Sequence, residues 1–314
     1  MRLASLFVAF LVTATSFSAA AAEPIKELNI SYVKPPFVLQ LLVMKDHKLL
    51  EKEFQADGIK INWHNMGTSP QAARAMSSGS LDIAGNMNTA ALLMLNSEGL
   101  PVRVVTGTAH PTSNFAIVSK PGTELSVKDL KGKQVVGPKG TFLHQLLVAA
   151  LEKEGMRESD VQFINMGIPK ALSTILAGHA DAALVASSAL IKANKAGAKT
   201  IIKAEGLVEP TLVMTTTKQF AEEHPEIVKR VDKVYAESLR WMKDHPSETA
   251  EMGSREHGIS IEDAKTLIER SHYFDKMTSK DLEDLKVNQK FLRDNEMMRN
   301  ELTVEELVLP VAME

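Results

Sequence analysis

Up to about residue 217, short runs of alternating apolar and polar residues are separated by stretches whose apolar positions recur three and four apart. The first pattern marks a half-buried strand and the second a helix face. Residues 28–33 (Leu-Asn-Ile-Ser-Tyr-Val) alternate and stop at Lys34-Pro35-Pro36, where two prolines cannot continue a ladder. A helix is predicted over 37–54, halted near Gly58, then a strand over 59–63. Pro70 opens a helix running over 72–78, since its missing N–H costs nothing there. A strand over 81–84, a loop Asn86-Met87-Asn88-Thr89, an Ala/Leu/Met helix ending near Gly99 and a strand over 101–106 follow. The polar, turn-rich 107–113 leads into a strand over 114–119, taken as a first crossing between two bodies. Beyond it come strand 134–137, loop 138–141, helix 142–154, strand 161–166, helix 170–177 and strands 182–185 and 200–204. Residues 211–217 return the chain.

After Lys218 the pattern is helical, with Pro225 and Pro246 each at a helix start. The stripe Ile227, Val231, Val234, Leu239, Met242 reads as core packing. Residues 279–300 are strongly charged and read as a solvated helical face.

The chain repeats itself about a hundred residues apart. Asn65-Met66-Gly67 returns as Asn165-Met166-Gly167, and Gly79-Ser80-Leu81-Asp82 as Gly178-His179-Ala180-Asp181. Upstream, 37–43 resembles 142–148 and 50–53 resembles 151–154, all in one order at nearly constant offset. Each copy is a strand–helix–strand–helix–strand unit, too long for a solenoid repeat, so the pattern predicts two similar α/β lobes with parallel sheet and crossover helices. Ligands of such sheets sit outside the carboxyl ends of the strands. Two lobes set two such edges across a cleft.

The 314 residues, 44% hydrophobic and 24% charged, suffice for one large or two medium cores. A net charge of −3 without a basic run argues against nucleic acid. Residues 1–22 have the form of a secretory signal: Arg2, an apolar core over 3–12, and Ala20-Ala21-Ala22 before the cut. That core is shorter than the roughly 20 residues a bilayer needs, so an exported, soluble mature chain is expected. With no cysteine there is no disulfide, thiol nucleophile or cysteine metal site.

Phosphate loops, His-Glu-x-x-His, Gly-x-Ser-x-Gly and Gly-x-Gly-x-x-Gly are all missing from the sequence, and the nine histidines are scattered singly. No catalytic residue, cofactor or metal is therefore assigned. Asp82 and Asp181, at equivalent repeat positions, read as structural carboxylates. At the expected cleft edge gather Lys34 and Pro36, Thr68 and Ser69, Asn86, Asn88 and Thr89, and His110 from the first lobe. The second supplies Gly140, Thr141 and Phe142, with Ile168 and then Ser187 and Ser188. Loops entering helix N-termini present free N–H groups that suit an anion, although Ser, Thr and Asn there also cap helices.

At these residues the chain resembles the periplasmic substrate-binding proteins of ABC importers, in the group that includes aliphatic-sulfonate, taurine and nitrate binders. The resemblance rests on Tyr32-x-Lys34, Trp63, Gly79-Ser80-Leu81-Asp82, Ala116-Ile117-Val118, Asp129-Leu130-Lys131-Gly132-Lys133, Lys139-Gly140-Thr141, Ala150-Leu151-Glu152-Lys153 and Phe220-Ala221-x-x-His224-Pro225. It implies a two-lobe periplasmic-binding-protein-like α/β fold of type 2. Each lobe is then a mixed, mostly parallel sheet flanked by helices, with two crossover strands and a helical C-terminal tail. Lobe one is expected over 23–113 and 210–314, lobe two over 114–209.

The family hinges shut on its ligand and presents the closed form to an inner-membrane permease. Ligand contacts are implied near Lys34, Ser69, Asn88 and Thr141, in a monomer located in the periplasm. Two departures bear on the ligand. Sulfonate binders often carry Trp-Asp-Pro where this chain has Ala186-Ser187-Ser188, and Gln where it has Val33. Losing that acid disfavours a ligand amine, and a carboxylate or aromatic acid stays open beside a sulfonate. An exported ligand-sensing module for a membrane receptor is the other reading, and an exported hydrolase a third.

Overall fold

The computed structural model describes residues 25–33 and 37–313. The expected secretory signal, Lys34 and Pro36 lie outside the described residues. Strand β1 (Glu27–Tyr32) leads to helices α1 (Leu39–Asp46) and α2 (Leu49–Glu53), then β2 (Lys60–Asn65), α3 (Ser69–Ser77), β3 (Ile83–Asn88), α4 (Thr89–Ser97) and β4 (Val102–Ala109). Next come β5 (Phe115–Ser119), β6 (Gln134–Gly137), α5 (Phe142–Lys153), β7 (Gln162–Asn165), α6 (Ile168–Leu176), β8 (Ala182–Ala186), α7 (Ser188–Lys195) and β9 (Thr200–Lys203). The chain closes with β10 (Leu212–Thr217) and α8 (Lys218–Glu223), α9 (Pro225–Asp244), α10 (Pro246–His257), α11 (Ile261–Ser271) and α12 (Ser279–Asp294).

Two five-stranded sheets result, ordered β2-β1-β3-β10-β4 and β7-β6-β8-β5-β9. The doubling read from the sequence is visible in them. In both sheets the second strand of the unit pairs with the first, the first with the third, and an antiparallel strand from the other half of the chain is inserted next. β1 runs parallel to β2 and β3, and β6 parallel to β7 and β8. The two aspartates play one part twice: Asp82 Oδ2 accepts the Asn29 N–H at 2.7 Å and Asp181 Oδ2 the Gln134 N–H at 3.2 Å. The chain crosses between sheets at 110–114 and again at 204–211, and Thr112 Oγ1 donates to Glu209 Oε2 at 2.9 Å, joining the two crossings.

Several boundaries differ from the pattern-based expectation. The helix over 37–54 is two pieces, because Lys48 takes a left-handed conformation at φ 52° between them. The expected loop at Asn86–Asn88 is strand: β10 pairs antiparallel with β3 as far as Asn88, and that non-local ladder overrides the polar local sequence. β4 likewise runs through Gly107-Thr108-Ala109, paired to β10. Helix α7 was not foreseen. Gly85 lets β1 and β3 approach, since a Cβ there would stand 2.2 Å from the Ser31 carbonyl oxygen.

The core forms three clusters. The largest joins the faces of both sheets through α3, α4, α5 and the end of α12; a second packs β1, α1 and α9; a third packs α1 against α10 and α11. The charged run 279–300 is not wholly solvated: α12 buries Leu285, Asn288, Gln289 and Leu292 along one face. There the Gln145 Nε2 of α5 donates to Asn288 Oδ1 at 2.6 Å. Asn288 Nδ2 in turn reaches Thr89 Oγ1 of α4 at 3.5 Å. The tail therefore touches helices of both sheets, and Lys192 of α7 donates to the His257 carbonyl.

Candidate functional site

A partly open cavity with about 50 Å³ of free interior lies between the carboxyl ends of the two sheets. Ser31, Tyr32 and Val33 at the end of β1, with Asn86 and Asn88 of β3, form one wall, and the turn Met66–Ser69 with Ala72 of α3 forms a second. Pro138, Thr141, Phe142 and Leu143 at the start of α5, with Ile168 of α6, face them from the other sheet. Phe115 and Leu212, the first residues of the two crossing strands, complete it.

Three helix starts border this space. Thr68 caps α3, its Oγ1 accepting the Gln71 N–H at 3.3 Å. At α5 the Thr141 hydroxyl donates back to the Pro138 carbonyl at 2.8 Å and caps nothing. Gly167 precedes α6 and brings no side chain. The first N–H groups of α5 and α6 thus have no side-chain acceptor, and with the helix dipoles they make a field that favours negative charge. Ser69 Oγ accepts from Asn88 Nδ2 at 3.1 Å, leaving its own hydrogen to donate, while Asn88 Oδ1 caps α4 through the Ala91 N–H at 2.9 Å. No Asp, Glu, Lys, Arg or His side chain is among the described residues lining the cavity.

Of the residues expected at the cleft, Thr68, Ser69, Asn86, Asn88, Thr141 and Phe142 meet in this cavity. Gly140 lies beside it, where an added Cβ would stand 3.7 Å from Pro70 across the gap. Thr89 is one residue deeper, its N–H donating to the Thr211 carbonyl at 3.0 Å. His110 sits on the first crossing, stacked on Phe274 at 4.2 Å, with Nε2 3.2 Å from Asp281. Ser187 is fully buried at φ 51°, its N–H donating to the Asn114 carbonyl at 2.7 Å. Ser188 opens α7 in a separate groove, 3.2 Å from His257 Nδ1. Both serines were expected here because they follow a strand of the second lobe, and neither is among the described residues lining this cavity.

Sequence reading missed Ser31, Tyr32, Phe115 and Leu212. The first two stand at a strand's carboxyl end, a signal that was available. Phe115 and Leu212 carry no local signal, because only the crossings bring them to the cleft.

Just behind the cavity, His144 on α5 is buried and stacked on Phe163 at 5.1 Å. Burial holds its imidazole below the ordinary value despite the Glu158 carboxylate 2.8 Å away. Its Nδ1 is buried without a partner, which fits a neutral ring donating through Nε2.

Two mixed sheets joined by a double crossing, with a cavity in the gap that no charged side chain lines among the described residues, have the two-lobe α/β fold of periplasmic binding proteins. Residues 53–249 match the family described as NMT1/THI5 like, and the chain belongs to that family. It is 30% identical over 180 residues to the taurine-binding periplasmic protein of Escherichia coli K12, covering 56% of this chain and 55% of that protein. The match therefore spans only about half of that relative's length. Against a putative aliphatic sulfonates-binding protein of Bacillus subtilis 168 it is 25% identical over 254 residues, covering 79% of this chain and 75% of the relative. Among solved structures, the alkanesulfonate-binding protein of Xanthomonas axonopodis pv. citri bound to MOPS superposes with a TM-score of 0.79 at 20% identity, covering 92% of this chain and 99% of that one.

Proposed function

We propose that the protein is the periplasmic solute-binding component of an ABC importer, capturing a small organic anion of the sulfonate type by cleft closure and handing it to an inner-membrane permease. The observation that carries this is the cavity itself, where helix starts without side-chain caps and the Ser69 hydroxyl converge on a space lined by no charged side chain among the described residues. A sulfonate keeps its charge at any physiological pH and offers three acceptor oxygens, matching several N–H and O–H donors without a formal countercharge. Low surrounding polarity strengthens each such bond.

The relatives' binding of taurine and aliphatic sulfonates points the same way. No nucleophile–base pair faces the cavity among the described residues, and the role is one of binding rather than turnover. Lobe one over 23–113 and 210–314 and lobe two over 114–209 would move about the two crossings as a monomer closes.

Calorimetric titration of the mature chain with sulfonates, carboxylates and nitrate tests the proposal. At one hundred times its dissociation constant, the true ligand adds about 2.7 kcal/mol of stability, which a thermal melt also reads. Failure of every small anion to bind would overturn it. Because no acid or histidine among the described residues lines the cavity, sulfonate affinity should stay flat between about pH 6 and pH 8.

A further inference from the structure

Besides donors for an anion, the cavity holds a second polar patch that the protein leaves unsatisfied. Ser31 on β1 is 2% exposed, and Asn86 on the neighbouring β3 has a buried Oδ1 without a hydrogen-bond partner. Both line the cavity, and neither side chain hydrogen-bonds another described residue. The other polar groups are committed: Asn88 to Ser69 and α4, Thr68 to α3. Thr141 has given its hydrogen to Pro138 and turns only lone pairs to a ligand. Anion recognition explains Ser69 and the helix starts, but an anion offers no hydrogen to the buried Asn86 Oδ1.

We infer that the solute carries an uncharged hydroxyl beside its anionic head, and that Asn86 with Ser31 is the pair that selects for it. This rests on the proposed function. A hydroxyl both donates and accepts, so it satisfies the Asn86 amide whichever way the amide is turned, and Ser31 or Thr141 as well. A methyl group at the same place would leave a buried amide and a buried hydroxyl unpaired. An ammonium can donate, but no carboxylate among the described lining residues offsets its buried charge. The apolar Phe115, Phe142 and Leu212 provide for a short carbon link between the two ends of the solute.

The test is calorimetry of the full mature chain with three matched probes: ethanesulfonate, 2-hydroxyethanesulfonate and 2-aminoethanesulfonate. The hydroxylated probe should bind about tenfold more tightly than ethanesulfonate. Asn86→Leu should erase that difference, read as the ratio of the two probes' affinities within the one variant. Asn86→Asp, which introduces a carboxylate, should move the preference to the amine, and this reversal also guards against a variant that simply misfolds. If all three probes bind the native chain equally, or the amine binds best, the inference is overturned and the proposed function stands. If none of the three binds, the sulfonate reading falls, and the inference with it.

Discussion

Ser69 shows how one residue carries two duties. Its oxygen accepts from Asn88, fixing the residue that caps α4, and its hydrogen is left for the cavity. Ser69→Ala should weaken anion binding by about 1 kcal/mol or more, read by calorimetry, and should also lower the melting temperature because Asn88 loses its acceptor. Thr141→Val keeps the β-branched shape but frees the Pro138 carbonyl, so loop order suffers as well as affinity. At Gly85 the constraint is steric: a methyl would press on the Ser31 carbonyl, and Gly85→Ala should destabilise the fold by about 2 kcal/mol or more in denaturant unfolding. Thr68, Ser69 and Thr141 were legible because a hydroxyl before a helix is a local signal. Ser187 offers the same local signal, yet its side chain is fully buried, because a serine entering a helix looks alike in sequence whatever the tertiary structure lays over it.

Among the elements, those that follow their own periodicity were readable and those built by distant pairing were not. α9 and α10 begin at the prolines that announce them. β3 and β4 outrun their predicted ends because β10, more than a hundred residues away in sequence, lies between them and pairs with both. Helix α12 looked like a solvated charged rod, yet Thr278 and Asp281 build a reciprocal cap at its start and its inner face enters the core. Thr278→Ala should cost about 1 kcal/mol of stability in urea unfolding. Asn288→Leu removes the buried bridge between α4 and α5 and leaves Gln145 without its acceptor, so it should destabilise by more, about 2 kcal/mol, by the same measurement.

Over the whole molecule the design is two copies of one unit, each lending a strand to the other's sheet, so that both crossings pass beside the cavity. Stability should depend on pH through His144. Its folded pKa lies below the ordinary value because burial disfavours the charged ring, so the folded state binds the proton less readily than the unfolded chain. Stability is then full above about pH 6.5 and falls as the pH drops below it. Asp181, Asp263 and Asp281, all held below the usual carboxylate value, lose their contribution only in the more acidic carboxylate range. Melting temperatures taken from neutral to mildly acid pH should fall in the native chain and fall less in His144→Gln. By itself the sequence determined the doubling, most strands, the helical tail and the hydroxyl and amide side chains offered at the strand ends, because periodicity, capping residues and composition act over a few residues. Which of those polar groups share one cavity was decided by the tertiary structure alone, since Phe115, Leu212, Ser31 and Asn86 meet through strand pairings and crossings that join segments far apart in the chain.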